Sequence, residues 1–188
     1  MIKLILAILV ALFPISEIAL AVVKRSREQE AHSEDRGSWR LLWIAIAVGV
    51  SLAIAVQLVP ATRLPGSPAV WQMIALACLM SGLALRWVAI VTLGRFFTVD
   101  VAVHKNQEVI QSGLYQFVRH PSYTGLLLAF VGLGVFFGNW LSIMLLLIPV
   151  GLAVVNRVSK EERALLLAFG PEYANYCART KRFIPGLV

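Results

Sequence analysis

Residues 123–155 read YTGLLLAFVGLGVFFGNWLSIMLLLIPVGLAVV, two apolar runs (123–137 and 141–155) parted by Gly138, Asn139 and Trp140 alone. A helix that crosses the hydrocarbon core needs about 20 apolar residues, and both runs fall short of that. So brief a connection leaves room only for an antiparallel turn. The stretch therefore predicts a tight helical hairpin whose inner ends stop below the membrane surface and whose open ends lie side by side.

Working outward, three longer apolar runs precede the hairpin, at 2–23, 41–59 and 69–93. The chain is 59% hydrophobic and only 14% charged, whereas a soluble domain carries about a quarter charged residues. At 188 residues one domain is expected. The fold class predicted is all-α: a polytopic membrane protein of about five transmembrane helices, the fourth and fifth forming the hairpin, with a cytoplasmic C-terminal helical tail. It is read as a single integral membrane domain over 1–188, with the chemistry in the half 94–188. Ala19-Leu20-Ala21 resembles a signal-peptidase site, but Lys24, Arg25 and Arg27 follow the first run instead of preceding it, so the run is expected to be a retained helix.

Orientation follows from the basic residues in the connections. Segments 24–40, 94–121 and the tail after Val155 hold 14 Lys and Arg, against two, Lys3 and Arg63, on the other side. Positive connections stay in the cytoplasm, so the N-terminus is expected outside and the C-terminus in the cytoplasm (across the inner membrane, in a bacterial cell). Trp39, Trp43, Trp71, Trp87 and Trp140 fall near run ends, as interfacial anchors do. The net charge of +7 is distributed as membrane flanks and does not point to nucleic acid. Cys78 and Cys177 form no CxxC pair, so neither a disulfide framework nor a metal site is indicated. Glu17 and Arg86 lie inside apolar runs, where a charge is a functional candidate by default; for Arg86 the favoured reading is that it snorkels to the cytoplasmic interface about two turns away, and Glu17 has no assignment.

The polar residues gather in two cytoplasmic stretches, 94–123 and 156–185. Because the hairpin is tight, Arg119-His120-Pro121-Ser122-Tyr123 is brought next to Arg157, Glu161 and Glu162. Singly, each has an ordinary reading. Pro121 suits a helix start, Arg119 and His120 suit headgroups, and Arg157 to Glu161 suits an exposed i,i+4 pair.

Taken together, Gly113-Leu114-Tyr115, Arg119-His120-Pro121-Ser122-Tyr123, Glu161-Glu162, Phe169-Gly170-Pro171-Glu172-Tyr173 and Arg182-Phe183-Ile184-Pro185 resemble the isoprenylcysteine carboxyl methyltransferase family, in its order and spacing, over about residues 94–188. The resemblance implies an enzyme that uses S-adenosyl-L-methionine. It implies cofactor-binding roles for Gln107, Glu108, Val109, Ile110, Tyr115, His120, Pro121, Ser122, Tyr123 and Glu161, and catalytic roles for Arg157, facing the methyl acceptor, and His120. Gln107 stands where the eukaryotic enzymes have a histidine.

The residue chemistry is consistent with these roles. Glu161 can accept charge-assisted hydrogen bonds from an amino group or ribose hydroxyls, His120 and N–H groups at a helix start can meet a carboxylate, and Tyr115 and Tyr123 offer ring faces to an adenine or a sulfonium. A carboxylate acceptor needs no general base; for a phenol, enol or amine His120 is the candidate. The partners expected are membrane lipids and a lipophilic small-molecule, prenylated or lipid acceptor, methylated on a carboxyl or another oxygen. Methylation of a phospholipid amine and a small non-catalytic transporter module are the alternatives. Gly132-x-Gly134-x-x-x-Gly138 misses the dinucleotide GxGxxG spacing and reads as helix packing.

Overall fold

The computed structural model describes residues 2–23, 31–98, 101–104 and 107–187. Its elements are α1 (Ile2–Val23), β1 (Ala31–Asp35), α2 (Arg36–Val56), α3 (Pro68–Leu93), β2 (Val101–His104), α4 (Pro121–Phe136), α5 (Trp140–Phe169) and α6 (Pro171–Arg179). Short 3-10 turns occur at Pro60–Thr62, Gly94–Phe96 and Gly113–Gln116. Gly37–Val56, Pro68–Phe96 and Trp140–Phe169 are long and apolar enough to cross a membrane, and Leu4–Leu20 and Pro121–Phe136 are shorter apolar helices. This is the polytopic helical membrane fold the apolar runs predict, with α6 as the helical tail. One small addition is an antiparallel ribbon in which Ala31 of β1 faces His104 of β2. Lys24, Arg25, Arg27 and Lys105 lie outside the described residues.

Large apolar side chains are exposed at Leu4, Ile8, Leu12 and Ile15 of α1, Ile44, Val48 and Leu52 of α2, and Met144, Ile148 and Leu152 of α5. Their three- and four-residue spacing paints one stripe per helix toward lipid. With apolar surroundings on the outside, helices gain little from hydrophobic burial and associate through close packing and hydrogen bonds. The α3–α4 contact is built that way. A Cβ on Gly82 would lie 2.5 Å from the Ala129 nitrogen, and one on Gly125 would lie 2.5 Å from the Arg86 nitrogen. Only glycine lets the two backbones come this near. Elsewhere Phe13 of α1 meets Phe130 of α4 edge-on at 5.1 Å, and the Ser142 hydroxyl of α5 donates to the Ala53 carbonyl of α2 at 2.8 Å.

The hairpin forms as expected, but its arms are unequal. With about 1.5 Å of rise per residue, the 16 residues of α4 reach roughly 24 Å. The 30 residues of α5 reach roughly 45 Å. The expectation of two short arms therefore holds for α4 alone; α5 continues past Val155 because its polar residues keep helical geometry to Phe169. Gly132 and Gly134 do permit close packing, against Leu79 and Ile143, whereas Gly138 has open space around it and a φ of 66°. Gly138 serves the turn, where a left-handed residue reverses the chain at little steric cost.

The turn's polar groups are satisfied within the protein. Asn139 is fully buried. Its side-chain oxygen accepts from the Leu141 and Ser142 N–H groups, capping α5. Its amide nitrogen donates to the Val56 carbonyl at 3.0 Å and the Thr62 hydroxyl at 2.6 Å. The Leu64 N–H donates to the Gly138 carbonyl at 2.9 Å. The turn is thus fastened to the α2–α3 connection. At the opposite end the C-terminal tail docks on the segment before α4, the N–H groups of Arg119 and His120 donating to the carbonyls of Lys181 and Arg182 at 2.8 and 3.0 Å.

Candidate functional site

Pro121 fixes where α4 begins. It occupies the first helical position, where a missing N–H costs nothing. It also keeps the preceding residue out of helical geometry, and His120 stands at φ −127°, ψ 55°. His120 is thereby held off the helix axis while Ser122 and Tyr123 occupy the first turn. On α5, Arg157 and Glu161 are one turn apart and share a face, whereas Glu162 is rotated by about 100°. Because α4 and α5 are joined by three residues, the start of α4 meets α5 at Arg157 to Glu162.

The meeting produces two adjoining polar clusters. In the first, Arg157 Nε donates to the Tyr123 hydroxyl at 2.7 Å, and that hydroxyl donates to Glu161 Oε2 at 2.9 Å. Arg157 is also tied to the Ser38 hydroxyl of α2 at 3.3 Å. In the second, Glu162 collects cations. Its Oε1 accepts from Arg119 Nε at 2.8 Å and lies 3.3 Å from His120 Nε2, and its Oε2 accepts from Arg182 Nε at 2.9 Å. Arg119 also donates to the carbonyls of Cys177 and Thr180. His120 sits between the clusters, its Nδ1 3.8 Å from Glu161 Oε1. The carboxylates differ in access: Glu161 keeps 31% of its side chain exposed, Glu162 only 9%.

A cavity opens beside these clusters. Gln107, Glu108, Val109, Ile110, Tyr115, His120, Ser122, Tyr123, Arg157 and Glu161 all line it. Pro121 lies behind them, fully buried and outside the wall, where it sets the start of α4. The wall also includes the apolar side chains of Leu42, Ile46 and Leu126 with Trp39 and Trp43. Tyr115, Tyr173 and Tyr176 line it too. Tyr176 donates to the Tyr115 carbonyl at 2.6 Å, and Tyr115 donates to the Ala89 carbonyl at 3.3 Å. The Tyr173 hydroxyl is buried, with no hydrogen-bond partner among the described residues. Burial pushes all three phenols up, that of Tyr176 to about 12, so they act as neutral donors.

Arg86 does not snorkel. It is buried, donates through Nε and Nη2 to the two Glu17 oxygens at 2.5 and 2.6 Å, and through Nη1 to the Ser122 hydroxyl at 3.0 Å. The guanidinium finds its counter-charge on α1, within the protein, and has no need to reach the interface. Glu17 is thereby assigned, and both residues line the cavity. Their presence inside apolar runs was the signal that could have marked them. Trp39 and Trp43 were read as interfacial anchors; their one-turn spacing also places both on the cavity wall. The gathering role of Glu162 had no separate signal, since its neighbour has the same chemistry.

The model of the isoprenylcysteine carboxyl methyltransferase (ICMT) family matches residues 73–167, half of the chain, from α3 to the polar end of α5. The chain belongs to the ICMT family. Among its ICMT relatives, the protein-S-isoprenylcysteine O-methyltransferase B of Arabidopsis thaliana is 33% identical over 112 residues, covering 58% of this chain and 57% of that one. A probable protein-S-isoprenylcysteine O-methyltransferase of Oryza sativa subsp. indica is 30% identical over 142 residues, covering 73% and 74%. The solved structure of the eukaryotic intramembrane Ras methyltransferase ICMT aligns with a TM-score of 0.57 at 24% identity, over 79% of this chain and 51% of that one, a likeness of fold. The chain thus spans from about half to three quarters of the length of these ICMT relatives.

Proposed function

We propose that this protein transfers the methyl group of S-adenosyl-L-methionine to a carboxylate or other oxygen of a lipophilic acceptor, at the cytoplasmic face of a membrane. The observation that carries this reading is one cavity whose wall joins the charged and aromatic residues Tyr115, His120, Tyr123, Arg157 and Glu161 to apolar side chains such as Leu42, Ile46 and Leu126. A polar, many-functional ligand suits the former and a hydrocarbon tail the latter. The names of the ICMT relatives, O-methyltransferases of isoprenylated cysteine, agree with such an acceptor.

The residues present fit the cofactor. S-adenosyl-L-methionine carries an amino group, a carboxylate, two ribose hydroxyls and an adenine. Glu161, partly exposed in the cavity wall, suits the amino group or the hydroxyls. Among the described residues the buried Tyr173 hydroxyl has no hydrogen-bond partner, and a buried donor of this kind calls for one. Gln107 to Ile110 and Tyr115 complete that side of the wall. When bound, the cofactor supplies an electrophilic methyl group on a sulfonium.

The chain's own residues would do the rest. Arg157 is buried at the cavity and holds an anionic acceptor head. His120 lies between two carboxylates, its Nε2 3.3 Å from Glu162 and its Nδ1 3.8 Å from Glu161; the tautomer that carries its proton on Nε2 toward the nearer one presents Nδ1 as an acceptor. Nδ1 is therefore the atom that takes the proton from a hydroxyl acceptor; a carboxylate acceptor needs no such step. Leu42, Ile46 and Leu126 keep the acceptor's tail away from water, and a dry site favours a reaction whose charge disperses at its transition state.

The test is S-adenosyl-L-methionine binding by the purified protein, followed by label transfer into a membrane lipid extract. Wild type should bind and label a lipid, with Glu161→Gln weakened tenfold or more and His120→Ala weakened as well. Equal binding by all three would sink the reading. A C-terminal reporter active only in the cytoplasm tests the orientation; silence from it would place the site on the other face.

A further inference from the structure

Resting on that reading, we propose that Tyr123 is a positioning residue that couples the two ligand subsites, so that the cofactor and an anionic acceptor each tighten the other's binding. Its hydroxyl stands between the group assigned to each ligand, accepting from Arg157 Nε at 2.7 Å and donating to Glu161 Oε2 at 2.9 Å. All three residues line one cavity.

Both bonds are charge-assisted, and they run in one direction, from guanidinium through hydroxyl to carboxylate. Each polarises the hydroxyl in favour of the other, so the pair is cooperative. A ligand donor that takes up the Glu161 charge lessens the pull on the Tyr123 proton. The phenol oxygen then becomes a poorer acceptor, and Arg157 turns more cheaply toward an acceptor anion. Linkage makes the effect reciprocal.

The relay is held in place at both ends. Tyr123 lies in the first turn of α4, with its ring 5.9 Å from that of His120. Arg157 is buried and has its second anchor on Ser38. The ligands must therefore compete with Tyr123; they do not simply displace it.

The experiment is calorimetric titration of S-adenosylhomocysteine into purified protein. It is run alone, with saturating palmitate as the anionic amphiphile, and with hexadecanol as its uncharged counterpart. S-adenosylhomocysteine lacks the sulfonium charge, which keeps direct attraction between the two ligands small. In wild type, palmitate should tighten binding about fivefold, at the lower end of ordinary couplings, and hexadecanol should leave it unchanged. In Tyr123→Phe the palmitate effect should fall to within twofold while S-adenosylhomocysteine still binds. Glu161→Gln removes the charge that drives the last bond and should reduce the effect likewise; it serves as the second arm where Tyr123→Phe does not fold. A palmitate effect of undiminished size in either variant overturns the relay, as does wild type that binds both ligands independently. Wild type that binds no S-adenosylhomocysteine overturns the methyl-transfer reading instead.

Discussion

Replacing Glu17 by Gln removes the counter-charge of a buried guanidinium. The two side chains are 14% and 9% exposed and share two short hydrogen bonds. Breaking a buried ion pair from one side costs about 3–5 kcal/mol, because the remaining charge stays buried. Ser122 continues to accept from Arg86, which argues for the lower end, about 3 kcal/mol. For a chain of 188 residues, each kcal/mol moves the melting temperature by about 2–4 °C, so Glu17→Gln should melt roughly 6–12 °C below wild type. The double variant Glu17→Gln/Arg86→Met removes both charges and should recover most of that loss. Thermal unfolding of the detergent-solubilised single and double variants closes the cycle. Should Glu17→Gln fall within about 0.5 kcal/mol of wild type, the range of a surface substitution, and the two changes simply add, Arg86 is solvated and the buried pair is refuted.

Two further outcomes follow from the packing and the tail. Gly82→Ala places a Cβ 2.5 Å from the Ala129 nitrogen and 2.7 Å from the Gly125 carbonyl oxygen; since both are backbone atoms, the helices must part, at a cost of about 1–3 kcal/mol that the same unfolding assay reads. Glu162→Gln weakens the hold on Arg119 and Arg182 and should make trypsin cleave at Lys181 and Arg182 several times faster than in wild type, with helical content by circular dichroism retained; unchanged cleavage would show that the backbone bonds of Arg119 and His120 hold the tail unaided.

The hairpin was legible because its signal is local: two apolar runs and a connection too short to do anything but turn. The gathering of His120, Tyr123, Arg157 and Glu161 then follows from that turn. The partner of Arg86 was not legible, because Glu17 is 69 positions away and only the seating of α1 on α3 decides which charge faces which. Nor does sequence separate Glu161 from Glu162. They are alike in chemistry and differ by about 100° around α5, and that rotation sends one to the cavity and the other to Arg119 and Arg182. Arg157 and Glu161 have i,i+4 spacing, yet a tyrosine from another helix stands between them, which helical periodicity has no means to express. The ribbon of β1 and β2 was missed because its strands are only five and four residues long; β1 has no apolar alternation, and the alternation of Val101 and Val103 in β2 is too short to stand out.

The course of α5 from its Asn139 cap to Phe169, with Pro149 inside it, puts the fastened turn and the polar end on one helix. Its apolar half fixes a height in the bilayer, and its far half carries Arg157 and Glu161. Each residue of axial slip would displace those groups by about 1.5 Å and turn them by about 100°. Depth in the lipid and the aim of these two side chains at the cavity are therefore one adjustment, made at the fastened end of the helix.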